Sequence, residues 1–191
     1  MIIGITGGTG SGKTTLLAQL KNHGALVLDC DAIYHDLLHR DPALLAAIEN
    51  RFPGTVENGV LQRKKLGQIV FSDENALRDL NRITHGAVHQ EVMAHLKPQA
   101  KLVAIDAIGL FESGMDALCD VTVAVTAPEE VRVQRLIARD GISMEYAQKR
   151  IAAQPSSNWF RKKCDYTLEN DGSPADFHAK CLAFLQEVGI M

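Results

Sequence analysis

The sequence predicts an α/β fold of three layers, a five-stranded parallel sheet between helices. Three observations lead there. Five short apolar runs read as strands: Ile2–Thr6, Ala25–Leu28, Leu102–Ile105, Val121–Val125 and Tyr166–Leu168. The first four lack polar alternation, as strands buried on both faces do. Helical patterns separate the runs, as crossovers between parallel strands require. Finally, a glycine-rich loop joins the first strand to the first helix.

The first strand is the short apolar run Met1-Ile2-Ile3-Gly4-Ile5-Thr6, and the loop after it reads Gly7-Gly8-Thr9-Gly10-Ser11-Gly12-Lys13-Thr14. This matches G-x-x-x-x-G-K-[ST], the phosphate-binding P-loop. Leu16, Leu17 and Leu20 then fall on one helical face, so the motif stands in its required strand–loop–helix context. Glycines let successive N–H groups point into one concavity, and the helix start adds unpaired N–H groups and the positive end of its dipole. ATP is therefore expected on Thr9, Gly10, Ser11, Gly12, Lys13, Thr14 and Thr15. Lys13 reaches the outer phosphates, and the Thr14 hydroxyl holds Mg²⁺. The rival dinucleotide turn, G-x-G-x-x-G, fits Gly8 and Gly10, but its third glycine position falls on Lys13.

The second strand ends in Val27-Leu28-Asp29-Cys30-Asp31. Ligands of open α/β sheets bind beyond the carboxyl ends of strands, so these acids are expected to face the phosphate crevice. One of them can accept a proton from an attacking hydroxyl, or cap the following helix. Residues 32–98 are long for one crossover. Helical patterns at Leu44–Arg51, Lys64–Phe71 and Asn75–Leu96, with a turn near Pro53-Gly54, make the stretch a helical insert. Leu102-Val103-Ala104-Ile105-Asp106 has the shape of a strand whose terminal acid holds Mg²⁺, directly or through water. Thr126-Ala127-Pro128-Glu129 reads as a capping box with proline in the first turn. In the helix that follows, Arg132, Arg135 and Arg139 form one stripe, and Gly141 ends it. Ser143 caps the next helix. Residues 140–163, rich in Arg and Lys, are read as a mobile lid over the phosphates. Ser173-Pro174 starts the last helix, whose Phe177, Cys181, Phe184, Leu185 and Val188 face the core.

The rest of the composition narrows the class. The 191 residues, 46% apolar, fit one domain with a sizeable core. A net charge of −3 does not point to a polyanion-binding surface, and no nucleic-acid partner is expected. No apolar run is long enough for a membrane span, and the N-terminal run lacks the basic flank of a signal peptide. Cysteines 30, 119, 164 and 181 form no C-x-x-C pair, so a reducing cytoplasm is expected, with Cys30 and Cys119 packed as small hydrophobes. His35/His39 and His85/His89 are i, i+4 pairs without a third metal ligand in register, and read as surface or substrate-contact histidines. The guanine-specific Asn-Lys-x-Asp is absent from the sequence, which favours a kinase using ATP.

Taken in order, the motifs resemble those of the dephospho-CoA kinase family over nearly the whole chain. They run from Ile5–Thr14 and Leu28-Asp29-Cys30-Asp31 through Gly59-Val60-Leu61-Gln62-Arg63, Val70-Phe71-Ser72-Asp73 and Asn81-Arg82-Ile83-Thr84-His85. Leu110-Phe111-Glu112-Ser113-Gly114, Arg135 to Gly141, Arg150-Ile151-Ala152-Ala153-Gln154 and Asn170-Asp171-Gly172 complete the series. The resemblance implies a P-loop NTPase core at about 1–31, 99–139 and 164–191, a CoA-binding insert at about 32–98 and a lid at about 140–163. It implies ATP-dependent phosphorylation of the ribose 3′-hydroxyl of dephospho-CoA, giving coenzyme A and ADP. Lys13, Asp31 and Arg139 would be the catalytic residues, with Asp31 the base. Arg63 and His85 would lie on the acceptor side, Arg139 in the lid over ATP, and Asn170 near the adenine. Thr14 and Asp106 are the expected Mg²⁺ ligands. The partners would be ATP and dephospho-CoA, with no nucleic acid or membrane, acting as a monomer or weak homo-oligomer. A kinase for another small hydroxyl compound, such as a nucleoside, and a nucleotide-binding regulatory module are the competing readings. The chain departs from the family pattern at Gly86, at Ile108-Gly109 and over Pro155–Lys163.

Overall fold

Strand β1 (Ile2–Thr6) is the middle strand of the sheet, and its last residue leads straight into the glycine loop. The computed structural model describes residues 1–70, 72–96 and 100–191. After α1 (Lys13–Asn22) come β2 (Leu26–Asp29), α2 (Cys30–Arg40) and α3 (Pro42–Arg51). A small hairpin of β3 (Val56–Glu57) and β4 (Val60–Leu61) precedes α4 (Arg63–Val70) and α5 (Glu74–His95). The chain continues through β5 (Val103–Asp106), a 3₁₀ turn at Met115–Leu118, β6 (Val121–Thr126), α6 (Glu129–Asp140) and α7 (Met144–Ala152). It ends with α8 (Ser157–Lys163), β7 (Tyr166–Glu169) and α9 (Pro174–Glu187).

The five-stranded parallel sheet has the order β2-β5-β1-β6-β7. In register, Ile5 lies beside Asp106 of β5 and Val123 of β6, and Thr126 of β6 lies beside Glu169 of β7. These pairings align the strand ends with the glycine loop. Ile3, Ile5, Val123 and Val125 pack with Leu16 and Leu20 of α1 and with Phe177, Cys181 and Phe184 of α9. Burial of this apolar surface holds the helices to the sheet.

Two compact units make up the chain: Met1–Leu28 with Pro98–Met191, and Asp29–Lys97. The second is helical. Its α2, α3 and α4 all pack on the 22-residue α5, around Leu37, Leu44, Leu45, Ile48, Val88 and Val92. Gly86 lies inside α5, which runs through it without a break.

Local signals decide most boundaries. Gly141 takes the left-handed conformation (φ 65°) that closes α6, and the Ser143 hydroxyl accepts from Tyr146 N–H to start α7. Ser173 and Asp176 form a reciprocal capping box on α9. The capping box expected at Thr126 is absent. Pro128 occupies the cap position and makes no side-chain bond. Thr126 belongs instead to β6, where its carbonyl accepts from Asn170 N–H at 2.7 Å. Sheet pairing has overridden a local helix-start signal. The hairpin and α8 were not among the expected elements, and the expected helix end at Phe71 lies outside the described residues. Cys30 is buried as expected, Cys119 half-buried, and all four cysteines are free thiols. Burial pushes the Cys119 thiol up to about 12. Among the described residues, no helix is long and apolar enough to cross a membrane.

Candidate active site

The glycine loop owes its shape to three positive-φ glycines that admit no side chain, Gly7, Gly10 and Gly12. Gly7 has φ 134°, and a Cβ there would fall on the Val125 carbonyl oxygen. Gly12 has φ 100°, and a Cβ would meet the Asn170 amide nitrogen. Gly12 is also the N-cap of α1, with no side chain bonded to the helix start and no acid in the first turn. The opening N–H groups and dipole of α1 therefore remain directed at an anion. Lys13 Nζ donates to Gly7 O at 3.0 Å, folding the ammonium over the loop it would serve. Thr14 stands exposed in the first turn.

Behind the loop, the arginine stripe of α6 is divided. Arg132 is 5% exposed, and its Nε donates to Thr9 O at 2.9 Å. Burial lowers its pKa, and Glu129 partly opposes that. Arg135 Nη1 reaches Gly10 O and Ser11 O, each at 3.2 Å, and its Nη2 donates to Asn170 Oδ1 at 3.2 Å. Asn170, also 5% exposed, donates from Nδ2 to Ser11 O at 2.8 Å. Both polar atoms of the Asn170 amide are thus bonded to the loop and to Arg135. Arg139 differs. It is exposed and makes a bidentate pair with Asp140, at 2.7 and 3.0 Å. Arg150 of α7 donates to the same carboxylate at 2.7 Å. Arg139 first, and Arg150 second, hold Asp140 down to about 2.

Asp106 closes β5 in register with Ile5, one residue before the end of β1, and the next N–H, of Ala107, donates to Ile5 O at 3.0 Å. The carboxylate thus lies at the strand end adjacent to that from which the glycine loop departs. Its oxygens and the Thr14 hydroxyl are hard donors of the kind Mg²⁺ prefers, so this donor set fits that ion. Among the described residues, no group of three or more His, Cys, Asp or Glu side chains is arranged to hold a metal by itself.

In the helical unit, the two acids after β2 separate in role. Asp29 caps α2, its Oδ1 accepting from Ala32 N–H at 2.9 Å. Asp31 is exposed in the first turn of α2. One turn on, His35 meets Arg63 at the start of α4, with Nη2 and Nδ1 3.2 Å apart. That contact requires the histidine to offer the Nδ1 lone pair, since a guanidinium only donates. The Tyr34 and His35 rings lie with centroids 5.8 Å apart, tilted by 38°. Burial raises the phenol's pKa, and Arg63 lowers it. His35 and Arg63 thus pair, with Asp31 one turn before His35 on α2, while His85 lies half-buried on α5. His35, expected as a surface or substrate-contact residue, is exposed, and its contact with Arg63 was not foreseen. Sequence reasoning also missed Gln154 as a partner of the loop, 145 positions from Thr9.

Comparisons with known proteins agree with one another. The family model for dephospho-CoA kinase matches residues 1–176. The dephospho-CoA kinase of Lactobacillus johnsonii is 35% identical, the match covering 98% of each chain. A crystal structure of TT1252 from Thermus thermophilus superposes with a TM-score of 0.83 at 38% identity, covering 98% of this chain and 97% of that one. The dephospho-CoA kinase from Campylobacter jejuni superposes with a TM-score of 0.69 at 26% identity, covering 98% and 96%.

Proposed function

The chain belongs to the dephospho-CoA kinase family, and from that membership we propose a division of labour among its residues. The reaction is ATP-dependent phosphorylation of dephospho-CoA. The acceptor is the ribose 3′-hydroxyl, and the products are coenzyme A and ADP. The observation that carries the reading is the glycine loop, set on a helix start that no side chain caps.

Thr9 to Thr15 hold the phosphates. Lys13 exchanges Gly7 O for the outer phosphate oxygens. Arg139 exchanges Asp140 for the transferring group, whose charge needs a cation in a site closed to water. Asp31 orients the 3′-hydroxyl and takes its proton as the new O–P bond forms and the β–γ bridge breaks. Arg63 and His85, with His35, contact the acceptor. Asn170 acts on ATP through the loop it braces. Thr14 and Asp106 would hold Mg²⁺, which when bound neutralises charge on the β- and γ-phosphates. Residues 140–163 serve as the lid, and the protein works in the cytoplasm as a monomer or weak homo-oligomer, without nucleic acid or membrane.

The test is ADP formation from ATP with and without dephospho-CoA. Asp31→Asn keeps the size of the side chain but cannot take the proton. It should lower kcat by about 10²-fold or more, with ATP affinity kept. Asp29→Asn should act weakly, through the α2 cap alone. The reverse ranking would move the base to Asp29, and acceptor-independent turnover would remove the kinase reading.

A further inference from the structure

Thr9 is gripped on both its amide and its carbonyl by side chains from distant parts of the chain. Its N–H donates to Gln154 Oε1 at 2.8 Å, and its C=O accepts from Arg132 Nε at 2.9 Å. Arg132 Nη2 donates to the same Gln154 Oε1 at 3.3 Å, closing a ring of three hydrogen bonds. Thr9 is 8% exposed and Arg132 5%. Two donors converge on one oxygen of Gln154, which fixes the orientation of its amide: the reversed NH₂ would face two other donors.

Thr9 stands between Gly8 and Gly10, and Gly10 has φ 77°. Backbone flanked by glycine has little intrinsic preference for one orientation. Whatever aligns the Thr9 amide must come from outside the loop, and Gln154 and Arg132 supply it. Gln154 lies two residues beyond the end of α7, the helix whose Arg150 shares Asp140 with Arg139.

We propose that Gln154 is a positioning residue of the phosphate loop, fixing the loop backbone at Thr9 so that the amides after it face the phosphates, and tying the end of α7 to it. Without this bond, ATP must order the peptide as it binds, so the loss falls on affinity and not on the chemical step. The inference rests on the reading that this loop holds ATP.

Gln154→Met keeps the length of the side chain and removes the acceptor. Gln154→Ala removes both, and Gln154→Glu restores an acceptor that also pairs with Arg132. Amide exchange at Thr9 without nucleotide, KM for ATP, kcat and the unfolding midpoint are measured on each. In the Met and Ala variants, Thr9 exchange and KM for ATP should both rise by about 5- to 10-fold, the scale of one hydrogen bond, with kcat nearly unchanged. Gln154→Glu should return Thr9 exchange to the wild-type rate. If the Ala variant fails to fold, the Met variant carries the same readings. Unchanged Thr9 exchange in Gln154→Met overturns the proposal. So does a fall in kcat and midpoint at constant KM, which would mean that Gln154 merely packs α7. A lower KM would show that its carbonyl competes with phosphate for the amide, and also overturns it. The exchange comparison needs no turnover, so a failure of the kinase reading would show separately, as wild-type protein without ATP-dependent activity.

Discussion

Arg132 and Arg139 lie two turns apart on one stripe of α6, and the two ends of that stripe are built in opposite ways. The inner end is dry. Arg132, Arg135 and Asn170 spend their donors on the carbonyls of Thr9, Gly10 and Ser11. The outer end is wet, and Arg139 and Arg150 share the carboxylate of Asp140. A buried cation bonded to backbone carbonyls fixes shape and is expensive to remove. An exposed pair in water is worth little and exchanges partners readily. The difference assigns architecture to the inner end and chemistry to the outer one.

The most severe way to break the contrast is Arg132→Ala. It strands Thr9 O in a buried place and leaves a void, so the unfolding free energy should fall by about 3 kcal/mol. Denaturant unfolding measures this, and a loss below about 0.5 kcal/mol would place Arg132 with the surface arginines. Arg139→Lys comes next. Lysine keeps the charge but not the planar fork, so kcat/KM should drop about 10-fold, with the unfolding midpoint unchanged. Wild-type kinetics would show that charge alone suffices.

Asp140→Asn sharpens the contrast from the other side. It frees both arginines from a competing carboxylate, and KM for ATP should fall by about 2- to 3-fold, the worth of an exposed pair. An unchanged KM would mean that the pair does not restrain Arg139. The smallest effect is on pH. Because Asp140 is held below the ordinary carboxylate value of about 3.9, its stabilising contribution is complete above that pH and is lost as pH falls towards 2. The difference in midpoint between wild type and Asp140→Asn should stay constant from about pH 5 to 8 and close below about pH 4. A difference that changes near neutrality would point to another group.

The same division explains what could be read from the residues alone. The strand–loop–helix of the phosphate site was legible because its causes are local: glycine spacing, then a lysine and threonine at a helix start. The closure of α6 at Gly141 and the caps at Ser143 and Ser173 were legible for the same reason. Arg132 was not, because a stripe of arginines carries no mark of which one the fold will bury. Thr126 was misread, because its pairing beside Glu169 outweighed a capping pattern of nearby residues. Nor does local pattern carry a bond between Thr9 and Gln154, which only the packing of α6 and α7 creates. In the helical unit, Asp29 and Asp31 were legible as a pair, but their separation into cap and exposed acid required the start of α2 to be seen.

The most direct test of the contrast is to measure, on Arg139→Ala, the unfolding midpoint and the rate of ADP formation with ATP and dephospho-CoA. The midpoint should match wild type, and turnover should fall by at least about 10-fold, because one of the cations that cover the transferring phosphoryl group is then missing. Full turnover at an unchanged midpoint would contradict the account and leave the outer end of the stripe as solvated surface.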